Sequence, residues 1–444
     1  MTVFKSREAF IPYSRQEIVD LCLADGKIAI AEQDDFREFC EILIAYYHFK
    51  LHRSLETLKS SFCPLNPDIS DYESGKLLSS AKLKQQEDEL ITTFTSILQR
   101  ANYFPVPKRE LQKALEEDSL FDLKTDVDFN AFERMICYCR GDDSINITVK
   151  KWGFRSVQQK IDIYQRVVLL IKFKDEQHYS DKPAADNELS FKPGKIYLYL
   201  YKNLSKLDLE FIFPNIEMSM TWKDRLMFGV PAIGAAIPLA LKTLPQLILV
   251  AGVLLYFVLG YQPIDELRVQ EEDINNIAPL IITILSLTIA LGGFAFRQFT
   301  NYKNKQIRFQ KNVTETLFYR NMANNSGVFQ YLIDAAEEEE CKEIILVYYH
   351  LLTSEYALTP SQLDHLIESW MLKKFGKVID FDIEKTLRNL SEIKINYEEA
   401  QGSSYRNQQR ALLKRDRHNR CHILPLQEAK QILDHIWDRI FEYS

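Results

Sequence analysis

The sequence predicts an α+β membrane protein: two transmembrane helices set between an N-terminal α+β cytoplasmic region and a C-terminal helical, winged-helix-like region. Three observations predict it. Two long runs, 243–264 and 274–296, hold no charged residue, and at ~1.5 Å per residue each is long enough for a hydrocarbon core of ~30 Å. Ahead of them, a helical N-terminus gives way to β-branched and aromatic stretches at 145–149, 164–173 and 195–201. Behind them, apolar positions return at helical spacing as far as Ile440.

Taken in order, Ser14 with Glu17 forms a capping box that opens the first helix. Phe36, Phe39, Leu43, Tyr47, Leu51, Leu55 and Leu58 then recur at helical spacing and predict one long amphipathic helix over 33–58. A loop at 63–80 precedes a helix over 84–100, the three strands follow, and the polar stretch 178–194 joins two of them as a surface loop. Together these make up the N-terminal region, 1–222. The apolar segment 226–241 contains Pro231 and Pro238, which kink a helix; it is expected to be interfacial or re-entrant, with a third crossing as the alternative. Crossings at 243–261 and 276–296 enclose a short external loop, 262–275. That loop carries Asp265, Glu266, Glu271, Glu272 and Asp273 against Arg268 alone, whereas Arg297, Lys303, Lys305, Arg308 and Lys311 follow the second crossing. Basic residues stay on the side of synthesis, so both termini are expected in the cytoplasm, at a bacterial plasma or thylakoid membrane.

In the C-terminal region, 297–444, the second crossing continues as a stalk. A helix over 331–352 turns Leu332, Ala335, Ile344, Ile345, Tyr348 and Leu352 inward, and Thr359, Pro360 and Gln362 cap the next one. A short helix at 383–390, strands at 392–397 and 421–424, and a closing helix from Leu426 to Ile440 complete the chain. Three helices, a two-stranded wing and a last helix make the winged-helix analogy, which concerns fold and not activity.

Composition bounds the function. The 444 residues carry 55 Lys+Arg against 62 Asp+Glu, for a net charge of −7, and 46% are hydrophobic, which excludes disorder, collagen and a disulfide scaffold. Seven scattered cysteines fit a reducing compartment, and 1–15 has no apolar stretch of the kind a cleaved signal requires.

No G-x-G-x-x-G, Walker A loop, G-x-S-x-G or H-E-x-x-H occurs. His48 and His52 read as a helix-surface pair, Cys137 and Cys139 as strand packing, and His418, Cys421 and His422 as a weak cluster. Asp126 with Asp128 and Asp380 with Asp382 echo a D-x-D motif but suit turns and helix starts equally. No catalytic, cofactor-binding or metal residue is therefore assigned, and no cofactor is expected. Two charge runs remain. Arg406, Arg410, Lys414, Arg415, Arg417 and Arg420 stand against Asp416 alone; beside a bilayer their nearest ligand is anionic lipid headgroups, and nucleic-acid phosphate is the weaker reading. Glu337, Glu338, Glu339 and Glu340 either solvate a helix face or meet a basic surface, on the stalk at 303–311 or on an unknown protein partner.

Several stretches together carry a family resemblance. They are Phe10-Ile11-Pro12-Tyr13-Ser14-Arg15, Tyr201-Lys202-Asn203-Leu204, Phe213-Pro214-Asn215, Gly229-Val230-Pro231-Ala232, Tyr319-Arg320-Asn321, Asn324-Asn325-Ser326-Gly327-Val328, Asp334 to Glu343, and Leu424-Pro425-Leu426 with Trp437-Asp438. The chain resembles the DUF3754 family, named for domain of unknown function 3754, whose members include proteins of the transmembrane protein 143 type. The resemblance implies a membrane protein of cyanobacteria, plastids or mitochondria without an established activity, so no site residue carries over. A motif starting at Phe10 leaves no room for an organelle presequence, which points to a cyanobacterial-type member. The expected function is a membrane-anchored binding or scaffold module. The alternatives are a membrane-tethered nucleic-acid-binding protein and an enzyme with an unrecognised site; absent motifs weigh against the enzyme.

Overall fold

The computed structural model of the chain describes residues 10–69, 79–106, 111, 123–151, 155–180, 191–220, scattered positions of 282–315, and then 317–376, 378–396 and 409–443. They form two compact units. The larger takes in Met1–Leu111, Asp128–Leu209 and Arg320–Ser444; the smaller takes in Gln112–Val127 and Glu210–Tyr319.

In the larger unit, α1 (Arg15–Ala24) starts at the expected capping box, in which the Ser14 hydroxyl accepts from the Glu17 amide and the Ser14 amide donates to the Glu17 carboxylate at 2.8 Å. α2 (Gln33–Phe62) buries the apolar stripe read from the sequence and runs one turn further. After α3 (Ser80–Arg100) the chain enters β1 (Phe104–Pro105). The strands outgrow their sequence signals: β3 is Phe132–Lys151 and β4 is Arg155–Phe173. Their register pairs Ile145, Ile147 and Val149 with Ile161, Gln159 and Val157. Gly141 interrupts β3 at φ 77, where an added Cβ would lie 2.6 Å from Gln165 Cβ, so only glycine fits that kink. A short α4 (Glu176–Ser180) and β5 (Ile196–Ser205) follow. With β7 (Asn321–Asn324), they give an antiparallel five-stranded sheet in the order β1-β3-β4-β5-β7.

α5 (Ser326–Leu352) is the central helix, touched by α1, α2, α3 and sheet strands, and by α6 (Pro360–Phe375) and α7 (Ile383–Glu392). α6 begins at the expected Thr359–Gln362 capping box with Pro360 in its first turn, and ends on Gly376 in the left-handed region. Two antiparallel pairs follow, β8 (Lys394–Asn396) with β9 (Gln409–Ala411) and β10 (Leu413–Arg415) with β11 (Cys421–Ile423), then α8 (Leu426–Asp438) and α9 (Ile440–Tyr443). A single bridge from Leu358 to Cys421 ties the hairpin back to the segment before α6. In the smaller unit β2 (Leu123–Val127) pairs antiparallel with β6 (Ile216–Met220).

The membrane assignment is corrected. Among the described residues no helix is long and apolar enough to cross a membrane. The physical reason lies in the helices themselves: α2, α3 and α5 have the length, but each carries charges at intervals far shorter than the ~20 apolar residues a crossing needs. The α+β class stands; the two transmembrane helices, the integral membrane location and the topology with cytoplasmic termini do not, since the charge-asymmetry argument presupposed the crossings. Segments 226–241, 243–261 and 262–275 lie outside the described residues, as does most of 276–296.

Two apolar clusters fill the larger unit. One joins α1, the first half of α2, the second half of α5, α6, α7 and α8, from Ile11 to Ile436. The other joins the second half of α2, α3, the sheet face of Val168, Leu170, Ile196, Leu198 and Leu200, and the first half of α5. Sequence ends more than 300 residues apart thus share one core, each fully buried large side chain contributing ~1.5–3 kcal/mol.

Candidate functional site

The seam between the two clusters holds the densest set of titratable groups among the described residues. On α5 the second cluster ends at Ala336 and the first begins at Cys341; on α2 the change falls between Tyr47 and Leu51, with His48 in the gap. The acidic run therefore sits where apolar packing is interrupted. Glu337, Glu339, Glu340, Lys342 and Glu343 are all buried, Lys342 and Glu343 at 2% exposure. Charges at that depth are tolerated only when paired and hydrogen-bonded.

The pairing comes from distant parts of the chain. Arg100, the last residue of α3, grips Glu340 through two parallel bonds, Nε to Oε1 at 2.7 Å and Nη2 to Oε2 at 2.6 Å. Arg15 Nη1 donates to Glu337 Oε1 at 2.6 Å, His48 Nδ1 lies 2.8 Å from Glu337 Oε2, and the Arg15 amide donates to Glu338 at 2.7 Å. Lys342 Nζ donates to Glu339 Oε1 at 2.7 Å and to the carbonyls of Ile11 and Tyr13 at 2.7 and 2.9 Å, while the Ile11 amide donates back to Glu339 Oε2 at 3.2 Å. The extended segment 10–14 is thus strapped onto α5 by its own backbone. Tyr13 stacks on Phe375 at 3.8 Å, and the Phe10 ring faces both Arg140 and Lys342.

Glu343 closes the layer. Its Oε1 accepts from Asn102 Nδ2 at 2.8 Å and Lys385 Nζ at 3.2 Å, and its Oε2 from Thr386 Oγ1 at 3.2 Å. Asn102 reaches this position because it holds φ 57 just past the end of α3, a conformation asparagine tolerates. Five carboxylates face four permanent cations and His48 here. Burial pushes Glu343 up to about 7, with Lys385 and Asn102 pulling the other way and Glu339 adding to the rise. A second polar group lies beside the far end of α5: half-buried Asp25, the C-cap of α1, accepts from Trp370 Nε1 at 2.5 Å, Tyr349 Oη at 3.1 Å and Lys374 Nζ at 2.5 Å. Beside it burial holds His350 down to about 4.

The other sequence-marked residues fall elsewhere. Arg406 lies outside the described residues. Arg410 pairs with Glu428 and Arg415 with Glu384 at 2.7 Å, whereas Lys414, Arg417 and Arg420 are exposed on the 413–423 hairpin. Asp416 organises that turn, accepting from the His418 and Arg420 amides at 2.8 and 2.9 Å. Lys385, the α7 cation that would extend a basic groove, instead turns inward to Glu343. Asp382 caps α7 and Asp128 caps a single 3-10 turn. Cys137 and Cys139 are buried in β3, and burial pushes the Cys137 thiol up to about 12. His48 and His52 stack at 6.5 Å without a shared ligand set, and no group of three or more His, Cys, Asp or Glu able to hold a metal occurs among the described residues.

Sequence reasoning marked the acids but not their partners. Arg15, His48, Arg100, Asn102 and Lys385 lie up to 323 positions away, and nothing local in their sequence announces a carboxylate partner. The usable signal was on α5 itself: the run leads into Ile344–Leu351, apolar on every side, and a helix of that kind is central. Chemically the seam is a clasp. Its carboxylate oxygens take their donors from the chain.

No solved structure matches the chain. The matched stretch 164–327 covers most of β4, then β5, β6 and β7, and ends on the turn into α5. There Asn325, at φ 49, exchanges hydrogen bonds with Leu198 of β5 and donates to Asp68 at 2.8 Å. Over those residues, 164–327, the chain matches the family described as protein of unknown function (DUF3754).

Proposed function

We propose that the chain is a binding or scaffold module for a protein partner, docking through the 413–423 hairpin. One observation carries the reading. The richest cluster of titratable groups is closed within the fold, whereas Lys414, Arg417 and Arg420 stand exposed with no ion pair among the described residues. Cations held on a two-stranded turn ordered by Asp416 suit an acidic protein surface, where charge steers encounter and selects the partner. The inward turn of Lys385 weighs against a basic groove for nucleic acid. Crosslinking and co-purification of the full chain from its native cells test the reading. A partner recovered by the wild type should be lost from a Lys414→Gln, Arg417→Gln, Arg420→Gln variant and should dissociate as salt is raised. The same partners at the same yield from both proteins would refute the assignment.

A further inference from the structure

A cavity of about 500 Å³ lies between α2, the middle of α3, the end of α7 and α9, and shares no residue with the charge clasp or the hairpin. Its volume falls within the ~300–1,000 Å³ typical of small-molecule sites. Tyr46, Phe49 and Ile440 give it apolar walls, and Ser54 and Thr93 bring hydroxyls. The balance of charge sets the sign of what fits. Lys50 lies 3.7 Å from Glu392, so these two largely offset each other. Arg53, one turn along α2 from Lys50, has no ionic partner among the described residues, and its planar guanidinium suits a carboxylate, sulfonate or phosphate held by two bonds.

We propose that this cavity binds a small organic anion with a flat apolar body, the anionic group on Arg53 and the body against Phe49 and Tyr46. A cation of the same shape meets Glu392 already engaged by Lys50 and is repelled by Arg53. The ring of Phe49 meets that of Phe441 edge to face at 5.5 Å. This goes beyond the protein-partner reading and does not depend on it, because the hairpin residues and the cavity residues can be changed separately.

Titration of the full chain with 1-naphthalenesulfonate, followed by the probe's fluorescence, tests the inference, with 1-naphthylmethylammonium as the matched cation. The wild type should bind the sulfonate saturably at one site and the ammonium at least tenfold more weakly. Arg53→Gln should weaken sulfonate binding at least about tenfold, the loss of a charge-assisted pair of hydrogen bonds, while Arg53→Lys keeps part of it. Thr93→Trp, which fills the cavity, should abolish binding with the circular dichroism spectrum unchanged. Absence of saturable binding, equal binding of the two probes, or sulfonate binding indifferent to both Arg53→Gln and Thr93→Trp would overturn it.

Discussion

Two charge runs of similar appearance in the sequence end in opposite environments. Glu337, Glu339 and Glu340 with Lys342 and Glu343 lie buried at the seam of two apolar clusters, with Glu338 half-buried beside them, while the basic residues of 414–420 ring an exposed hairpin turn. The difference follows from what surrounds each run. The acids stand on a helix whose continuation is apolar all round, so that helix must be central and whatever precedes it is drawn inside. The basic residues stand on and between three-residue strands of which Leu413 and Cys421 alone are buried. Local density of charge does not decide exposure; the demand of neighbouring apolar residues does.

That contrast can be broken most forcefully at Lys342. Replacing it by Met leaves Glu339 buried without its cation and frees the carbonyls of Ile11 and Tyr13, a loss of about 3–5 kcal/mol. Urea unfolding should show it, together with faster proteolysis ahead of α1. A penalty near that of Lys414→Met, within about 0.5 kcal/mol of zero for an exposed residue, would mean that the run is not a buried clasp.

Acidity sharpens the comparison next. Glu343 titrates at about 7 in the folded chain against an ordinary 4.5, so the native state binds its proton more tightly than the unfolded state does. Its contribution is complete below pH ~4.5 and is lost as pH rises through about 7, an effect of about 3 kcal/mol over that window. His350 slopes the other way: held down to about 4 from 6.5, it adds stability that is present above pH 6.5 and lost as pH falls through 4. The two oppose each other between pH 4.5 and 6.5. Subtracting the stability profile of Glu343→Gln from that of the wild type should therefore leave a line falling with pH across 4.5–7; a flat difference would remove Glu343 from the seam.

Smaller effects belong to the caps. Thr359→Ala removes the hydroxyl that accepts from the Gln362 amide and should cost about 1 kcal/mol in thermal or urea unfolding. An unchanged stability would show that Pro360 alone fixes the start of α6.

These local devices are what the sequence made legible. Both capping boxes, the stripe of α2, the helix over α7 and the strands β8 and β11 follow from spacing of a few residues and are found, although β8 and β11 pair with β9 and β10 and not with each other. Strand length was not legible: the β-branched pattern marks 145–149 alone, whereas β3 runs from Phe132 to Lys151 through polar Asp142, Asp143 and Ser144. The clasp was half legible. Its acids are contiguous and conspicuous, but Arg15, Arg100 and Lys385 are single cations in unremarkable surroundings, joined only by the path of the chain. The long uncharged runs predicted crossings, whereas no helix among the described residues is long and apolar enough to cross a membrane, and α2, α3 and α5 interleave charge with apolar faces.

Whether the acidic run is an internal clasp and the basic hairpin an open surface is decided by the coupling energies of two ion pairs measured under the same conditions. A double-mutant cycle by urea unfolding on Arg100 and Glu340, each changed to Ala, should give a coupling of about 2 kcal/mol or more for the buried two-bond pair. The same cycle on Arg415 and Glu384 should give less than about 0.5 kcal/mol for the exposed one. Equal couplings, or a larger one at the hairpin, would contradict the account.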